Sequence, residues 1–158
     1  MNASPPAPRS SALRQGRVSI GGQAYHVTAR CLPDTAPFAD FPSACAASRA
    51  FALAAERSNV VLLAWVLMPD HAHWLIELGA NGNLSKAVAA LKRDSASAVN
   101  AVNEPARGAS LWQSGFHDRA IRADEDKLPA ARYVVANPLR AGLVDRLGDY
   151  PFWDAVWL

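Results

Sequence analysis

From Val60 to Leu67 every residue is apolar, and that run constrains the fold more than any other stretch of the chain. Side chains of a strand alternate between two faces, so Val60, Leu62, Ala64 and Val66 lie on one side and Val61, Leu63, Trp65 and Leu67 on the other. A strand apolar on both sides has to be covered on both. Met68-Pro69-Asp70 then supplies turn chemistry, and His71 to Leu78 resumes an extended pattern, so the two runs read as an antiparallel hairpin in mid-sheet. In the second strand Ala72, Trp74, Ile76 and Leu78 share a face. His71, His73, Leu75 and Glu77 share the other.

The remaining elements arrange themselves around this hairpin. Gly21-Gly22 marks a turn, and the β-formers of Tyr25 to Arg30 predict a strand after it. Pro33 and Pro37 break the chain. Ser43 to Ser58, rich in Ala, Leu and Phe with interspersed charges, reads as an amphipathic helix. Asn83 is placed to cap a second helix, with Leu84, Val88, Leu91, Ala98 and Val102 on one stripe and Lys86, Arg93 and Asn100 on another. Trp112 to Arg122 is expected to be a further strand. Asp124-Glu125-Asp126 puts acids where a helix N-terminus favours them, Pro129 fits a first turn, and the helix continues to Ala136, carrying Tyr133. The order strand, helix, strand, strand, helix, strand, helix is that of an α+β, ferredoxin-like split βαβ antiparallel sheet with an extra C-terminal helix that carries the tyrosine. Two helices are expected on one face, and the tyrosine helix on the face of His71 and His73. The aromatic tail, Tyr150 to Leu158, is expected to pack back on the body.

At 158 residues the chain suits a single domain. We expect it to span 21–158, after a flexible basic leader over 1–20. No run of about 18 apolar residues is present, so a membrane role is not expected and a cytoplasmic location is. Cys31 and Cys45 lack metal or redox spacing and read as free thiols. The net charge of +2 is too small to argue for nucleic acid, but residues 1–30 hold Arg9, Arg14, Arg17 and Arg30 and no acid. Such a stretch can track phosphates through counterion release.

Two imidazoles two apart on a strand look the same way, which is half of a metal site. Residues four apart on a helix share a face, so the phenol of Tyr133 and the amide of Asn137 can address one point. No cysteines are near enough to close a structural zinc site, and an open site of two nitrogens and an oxygen suits Mg²⁺ or Mn²⁺ acting on phosphate. A phenol with a pKa of about 10 is a weak nucleophile unaided, and a cation that neutralises the phosphate offsets much of that handicap. Asn137 has a competing role: before Pro138 it reads as the N-cap of a short turn through Leu139 and Arg140, ended by Gly142. For His26 and His117 the favoured reading is structural or surface, with a place near the ion as the alternative.

Tyr25-His-Val-Thr-Ala-Arg30, Ala64-Trp-Val-Leu-Met-Pro-Asp-His-Ala-His-Trp-Leu-Ile76, Leu111-Trp-Gln-Ser-Gly-Phe-His-Asp118 and Ala131-Arg-Tyr-Val-Val-Ala-Asn-Pro-Leu-Arg-Ala-Gly-Leu-Val144, in this order, resemble the REP-associated tyrosine transposases, relatives of the single-tyrosine HUH transposases of bacterial insertion sequences. The resemblance runs from about Arg14 to the C-terminus. It implies that His71 and His73 are metal ligands, that Tyr133 is the nucleophile, and that Asn137 stands where the group places a third polar ligand. It implies a metal-dependent endonuclease and strand transferase acting on single-stranded or hairpin DNA through a 5′-phosphotyrosine, as a monomer or homodimer. The absence of a nucleotide-binding Gly-x-x-x-x-Gly-Lys motif agrees with chemistry that conserves phosphodiester energy. Arg14, Arg17, Lys86, Lys92, Arg93, Arg132 and Arg140 are the expected backbone contacts. Two other readings remain: a non-catalytic single-stranded nucleic-acid module on a ferredoxin-like sheet, and a hydrolase whose metal activates water.

Overall fold

The computed structural model describes residues 19–103, 108–122 and 126–157. Arg14 and Arg17, with the leader up to residue 18, lie outside the described residues. The apolar hairpin lies in mid-sheet: β2 (Val60–Met68) and β3 (His71–Leu78) pair antiparallel in a five-stranded sheet. A register shift between Leu62 and Ala64 breaks the expected alternation, so Val60 and Leu62 join one core and Ala64 and Val66 the other. Outward from β3 come β1 (Ala24–Arg30) and β4 (His117–Ala120), and outside β2 lies β5 (Trp153–Ala155), giving the order β4-β1-β3-β2-β5. The first four strands have the split βαβ topology expected from the element order.

Both faces are covered. Helices α1 (Phe41–Arg57) and α2 (Leu84–Val102) pack on one side. Between them and the sheet lies a core built on Val27, Ala29, Phe51, Ala72, Trp74, Ile76, Leu84, Val88 and Leu91. Phe51 meets the edges of Trp65 and Trp74 at centroid distances of 5.4 and 5.2 Å, the T-shaped geometry that aromatic quadrupoles favour. Burying each such side chain stabilises the fold by about 1.5–3 kcal/mol. Helix α3 (Lys127–Val135) covers the other face with Ala131, Val134 and Val135, against Ala64, Val66, Met68 and Leu75. An ion pair from Lys127 to Glu77 of β3 ties its first turn to the sheet. A short helix, α4 (Asn137–Arg140), follows directly.

Several boundaries differ from the sequence reading, each for a local reason. Helix α1 starts two residues early because the Asp40 carboxylate accepts the Ser43 N–H at 3.0 Å and caps it. The buried stripe of α2 runs Leu84, Val88, Leu91, Ser95, Val99, so Val102 is half-exposed rather than core and Ala98 is only partly covered. The strand expected over Trp112–Arg122 shrinks to His117–Ala120. Trp112 makes an isolated bridge to Cys31 and donates its indole N–H to Ser95, while the Lys92 ammonium holds the carbonyls of Gln113 and Gly115 out of a ladder. Strand β5 was read only as a packed tail. Tyr150 fixes its approach by donating its hydroxyl to the Leu67 carbonyl at 2.6 Å.

Candidate active site

The cross-strand register decides what the α3 face of the sheet carries. Thr28 pairs with His73, Arg30 with His71 and His26 with Leu75, while on the outer side Thr28 pairs with His117 and His26 with Arg119. Directly paired residues share a face. His26, Thr28 and Arg30 of β1, His71 and His73 of β3, and His117 and Arg119 of β4 therefore line the surface that α3 only partly covers.

Within this set each ligand candidate has one ring nitrogen engaged. His71 Nδ1 is 2.6 Å from the Asp70 carboxylate, so the ring donates there and keeps a lone pair on Nε2. His73 Nδ1 lies 2.9 Å from the Thr28 hydroxyl and 3.1 Å from His26 Nε2, which likewise leaves its Nε2. The two rings stand 5.0 Å apart, nearly perpendicular. Burial, followed by the neighbouring charges of His71, His26, Arg140 and Arg30, pushes the His73 pKa down to about 3. The ring is thus neutral at ordinary pH, as a metal ligand must be. Burial lowers His26 as well, helped by Arg119 and Arg140.

Asn137 resolves its competing roles. Pro138 has no N–H to offer the Val134 carbonyl four residues back, and the Asn137 side-chain amide supplies that donor instead, at 2.8 Å. It is not a cap: α4 is preceded by Ala136, and no side chain caps it. With its NH₂ group committed, the amide oxygen is left without a partner among the described residues. Those residues contain no group of three or more His, Cys, Asp or Glu positioned for a metal. A divalent cation held by His71 and His73 would need its further donors from groups of another kind.

Tyr133 projects from the flank of α3, more than half exposed (59%), on the same side of the sheet as the histidines. Its ring stands edge-on to His26 at 6.3 Å, and His26 in turn is 5.2 Å from the His73 ring. Phenol and imidazoles form one cluster with His26 as the link. Arg140 lies over the Tyr133 ring, its guanidinium carbon 3.9 Å from the centroid, and donates to the Tyr133 carbonyl at 2.8 Å. Tyr133 and Arg140 thus sit on two successive helices, joined by the ring contact and the hydrogen bond.

The other expected contacts divide by location. Arg132 is exposed beside Tyr133. Lys86, Lys92 and Arg93 belong to α2, across the sheet from the histidines. Lys92 is spent on loop carbonyls, and Arg93 pairs with Asp94 at 3.1 Å. The sequence reading undervalued His26 and missed Thr28 and Arg119. Alternation along β1 was the available signal: residues 26, 28 and 30 share one parity, and pairing β1 beside β3 with Thr28 opposite His73 would have brought them to the histidines.

Comparison with known proteins bears on the family and the fold. The family profile described as "Transposase IS200 like" matches residues 25–136. The REP-associated tyrosine transposase of Escherichia coli K12 is 30% identical over 91 residues, 56% of this chain and 50% of that protein, so the match spans about half the relative's length. Among solved structures, a REP-associated tyrosine transposase bound to a REP hairpin superposes with a TM-score of 0.70 at 22% identity, over 87% of this chain and 79% of that one. A crystal structure from Deinococcus radiodurans R1, described as that of a transposase, matches at TM-score 0.55 and 20% identity, over 77% and 95% of the two chains. The likeness to REP-associated tyrosine transposases drawn from the motifs is borne out. With a profile match that covers well over half of its length, the chain belongs to the IS200-like transposase family.

Proposed function

We propose that this protein is a metal-dependent endonuclease and strand transferase that acts on single-stranded or hairpin DNA, in the cytoplasm, through a 5′-phosphotyrosine at Tyr133. The observation that carries the reading is the exposed phenol standing on the face of the sheet that presents His71 and His73, linked to them through His26. A structural parallel at TM-score 0.70, a REP-associated tyrosine transposase, was solved with a REP hairpin, which motivates hairpin DNA as the substrate.

His71 and His73, with the Asn137 oxygen, would hold Mg²⁺ or Mn²⁺, which when bound supplies charge neutralisation at the phosphate. Asp70 and Thr28 keep the two rings turned with Nε2 available. Tyr133 Oη attacks the phosphorus and forms a P–O bond as the P–O3′ bond breaks. The phenol gives up its proton to solvent, and the departing 3′ oxygen takes one up, so the 3′-OH is released and charge balances. Attack by an incoming 3′-OH reverses the step on a new strand and needs no nucleotide cofactor. DNA on the histidine face would meet Arg30, Arg119, Arg132 and Arg140, while Lys86 and Arg93 could engage only a stretch passing behind the sheet.

The test uses hairpin DNA labelled at either end, incubated with the protein and Mg²⁺ or Mn²⁺. Wild type is expected to retain label on protein, and Tyr133→Phe to lose the adduct completely. Cleavage that survives in Tyr133→Phe would favour a water-activating hydrolase, and metal-independent binding without cleavage a passive binding module.

A further inference from the structure

We propose that Arg140 is a catalytic residue: the edge of its guanidinium grips the scissile phosphate while its face rides on the nucleophilic ring. This rests on the transferase reading above and assigns the group that aligns phenol and phosphate.

Among the described residues the Arg140 side chain has two commitments, and both involve Tyr133. Its face stacks on the phenol ring, and one N–H goes to the Tyr133 carbonyl seven residues back. A guanidinium carries five N–H donors in a planar fork. Stacking uses the face, so the remaining edge donors stay available to a non-bridging pair of phosphate oxygens, the bidentate geometry Arg is suited to. The position is fixed by the short α4: the Arg140 N–H bonds to the Ala136 carbonyl at 3.1 Å, Pro138 is buried, and Gly142, at φ 69°, lets the chain turn away immediately.

The charge also reaches the histidines. Arg140 is near enough to His26 and His73 for its charge to help lower both imidazoles, after burial, and Tyr133 itself stands 6.3 Å from the His26 ring. A phosphate approached by Tyr133 Oη from the helix, and lying over His71 and His73, would fall within reach of this guanidinium. A role limited to stapling α3 to α4 would require the stem and the carbonyl bond but not the charge.

Single-turnover adduct formation at saturating hairpin DNA with Mn²⁺ separates these cases, using wild type, Arg140→Gln and Arg140→Lys, each checked for fold by circular dichroism and thermal unfolding. Gln removes the charge and carries its amide N–H on a chain two atoms shorter, so thermal unfolding reports loss of the bond to the Tyr133 carbonyl separately from the rate. The expected result is a rate about 100-fold below wild type for Gln, of the order seen when one transition-state donor is removed. Lys is expected to recover at least about tenfold over Gln, with both variants melting near wild type. A wild-type rate in Arg140→Gln, a deficit that disappears at saturating DNA, a deficit matched by loss of fold, or a Lys variant no better than Gln would each overturn the assignment. A wild type that forms no adduct overturns the transferase reading itself, and this inference with it.

Discussion

At the scale of single residues, the site works by fixing which nitrogen each histidine presents. The Asp70 carboxylate holds His71 by Nδ1, and the Thr28 hydroxyl with His26 does the same for His73. Partners of this kind usually matter to a metal site by about 10–100-fold in affinity. Asp70→Asn is therefore expected to weaken Mn²⁺ binding by that factor in a calorimetric titration while leaving the fold unchanged, and an unaltered affinity would show that the carboxylate does not orient the ring. The two histidines and the tyrosine were legible because period-two and period-four spacings are short-range signals. His26, Thr28 and Arg119 were not, because their relevance depends on β1 lying between β3 and β4, a pairing across tens of residues that no local spacing encodes. Asn137 was legible as a polar group one turn beyond Tyr133. Its actual bond, repairing the donor that Pro138 lacks, needed the path of the helix.

At the scale of elements, pattern strength governed legibility. The hairpin β2–β3 and the start of α2 at its Asn83 cap follow directly from apolar runs and capping chemistry. β4 and β5 carry too few residues for a pattern, and tertiary contacts set their limits: Lys92 on the loop before β4, and Tyr150 anchoring the approach to β5. These contacts have measurable consequences. Asp40→Ala removes the cap of α1 and is expected to lower the urea unfolding midpoint, by less than a core truncation does. Phe51→Ala empties the space between Trp65 and Trp74, and its expected cost is about 3–5 kcal/mol. Equal effects from the two substitutions would mean that α1 is not packed on the sheet as described.

At the scale of the whole molecule, the histidine face couples stability to pH. His73 has a native pKa of about 3 and an unfolded value near 6.5, and His26 is shifted in the same direction. Between those values the unfolded chain takes up protons that the native state refuses. Stability is therefore complete above about pH 6.5 and falls as the pH drops towards 3. Burial raises Tyr150 to about 12, so on the alkaline side the unfolded chain loses its proton first and stability falls again as pH rises from about 10 towards 12. Urea midpoints measured in EDTA across this range are expected to trace that plateau, and a His73→Asn variant to flatten its acid limb. An acid limb unchanged in that variant would remove His73 from the explanation.

The central claim is that the Tyr133 phenol becomes covalently joined to DNA. The most direct measurement is peptide mapping by mass spectrometry of protein reacted with hairpin DNA and Mn²⁺, then digested with nuclease and protease. The account requires a nucleotide remnant on the peptide containing Tyr133, attached through its 5′ phosphate. A remnant on Tyr25 or Tyr150, or cleaved DNA with no remnant on any tyrosine, would contradict it.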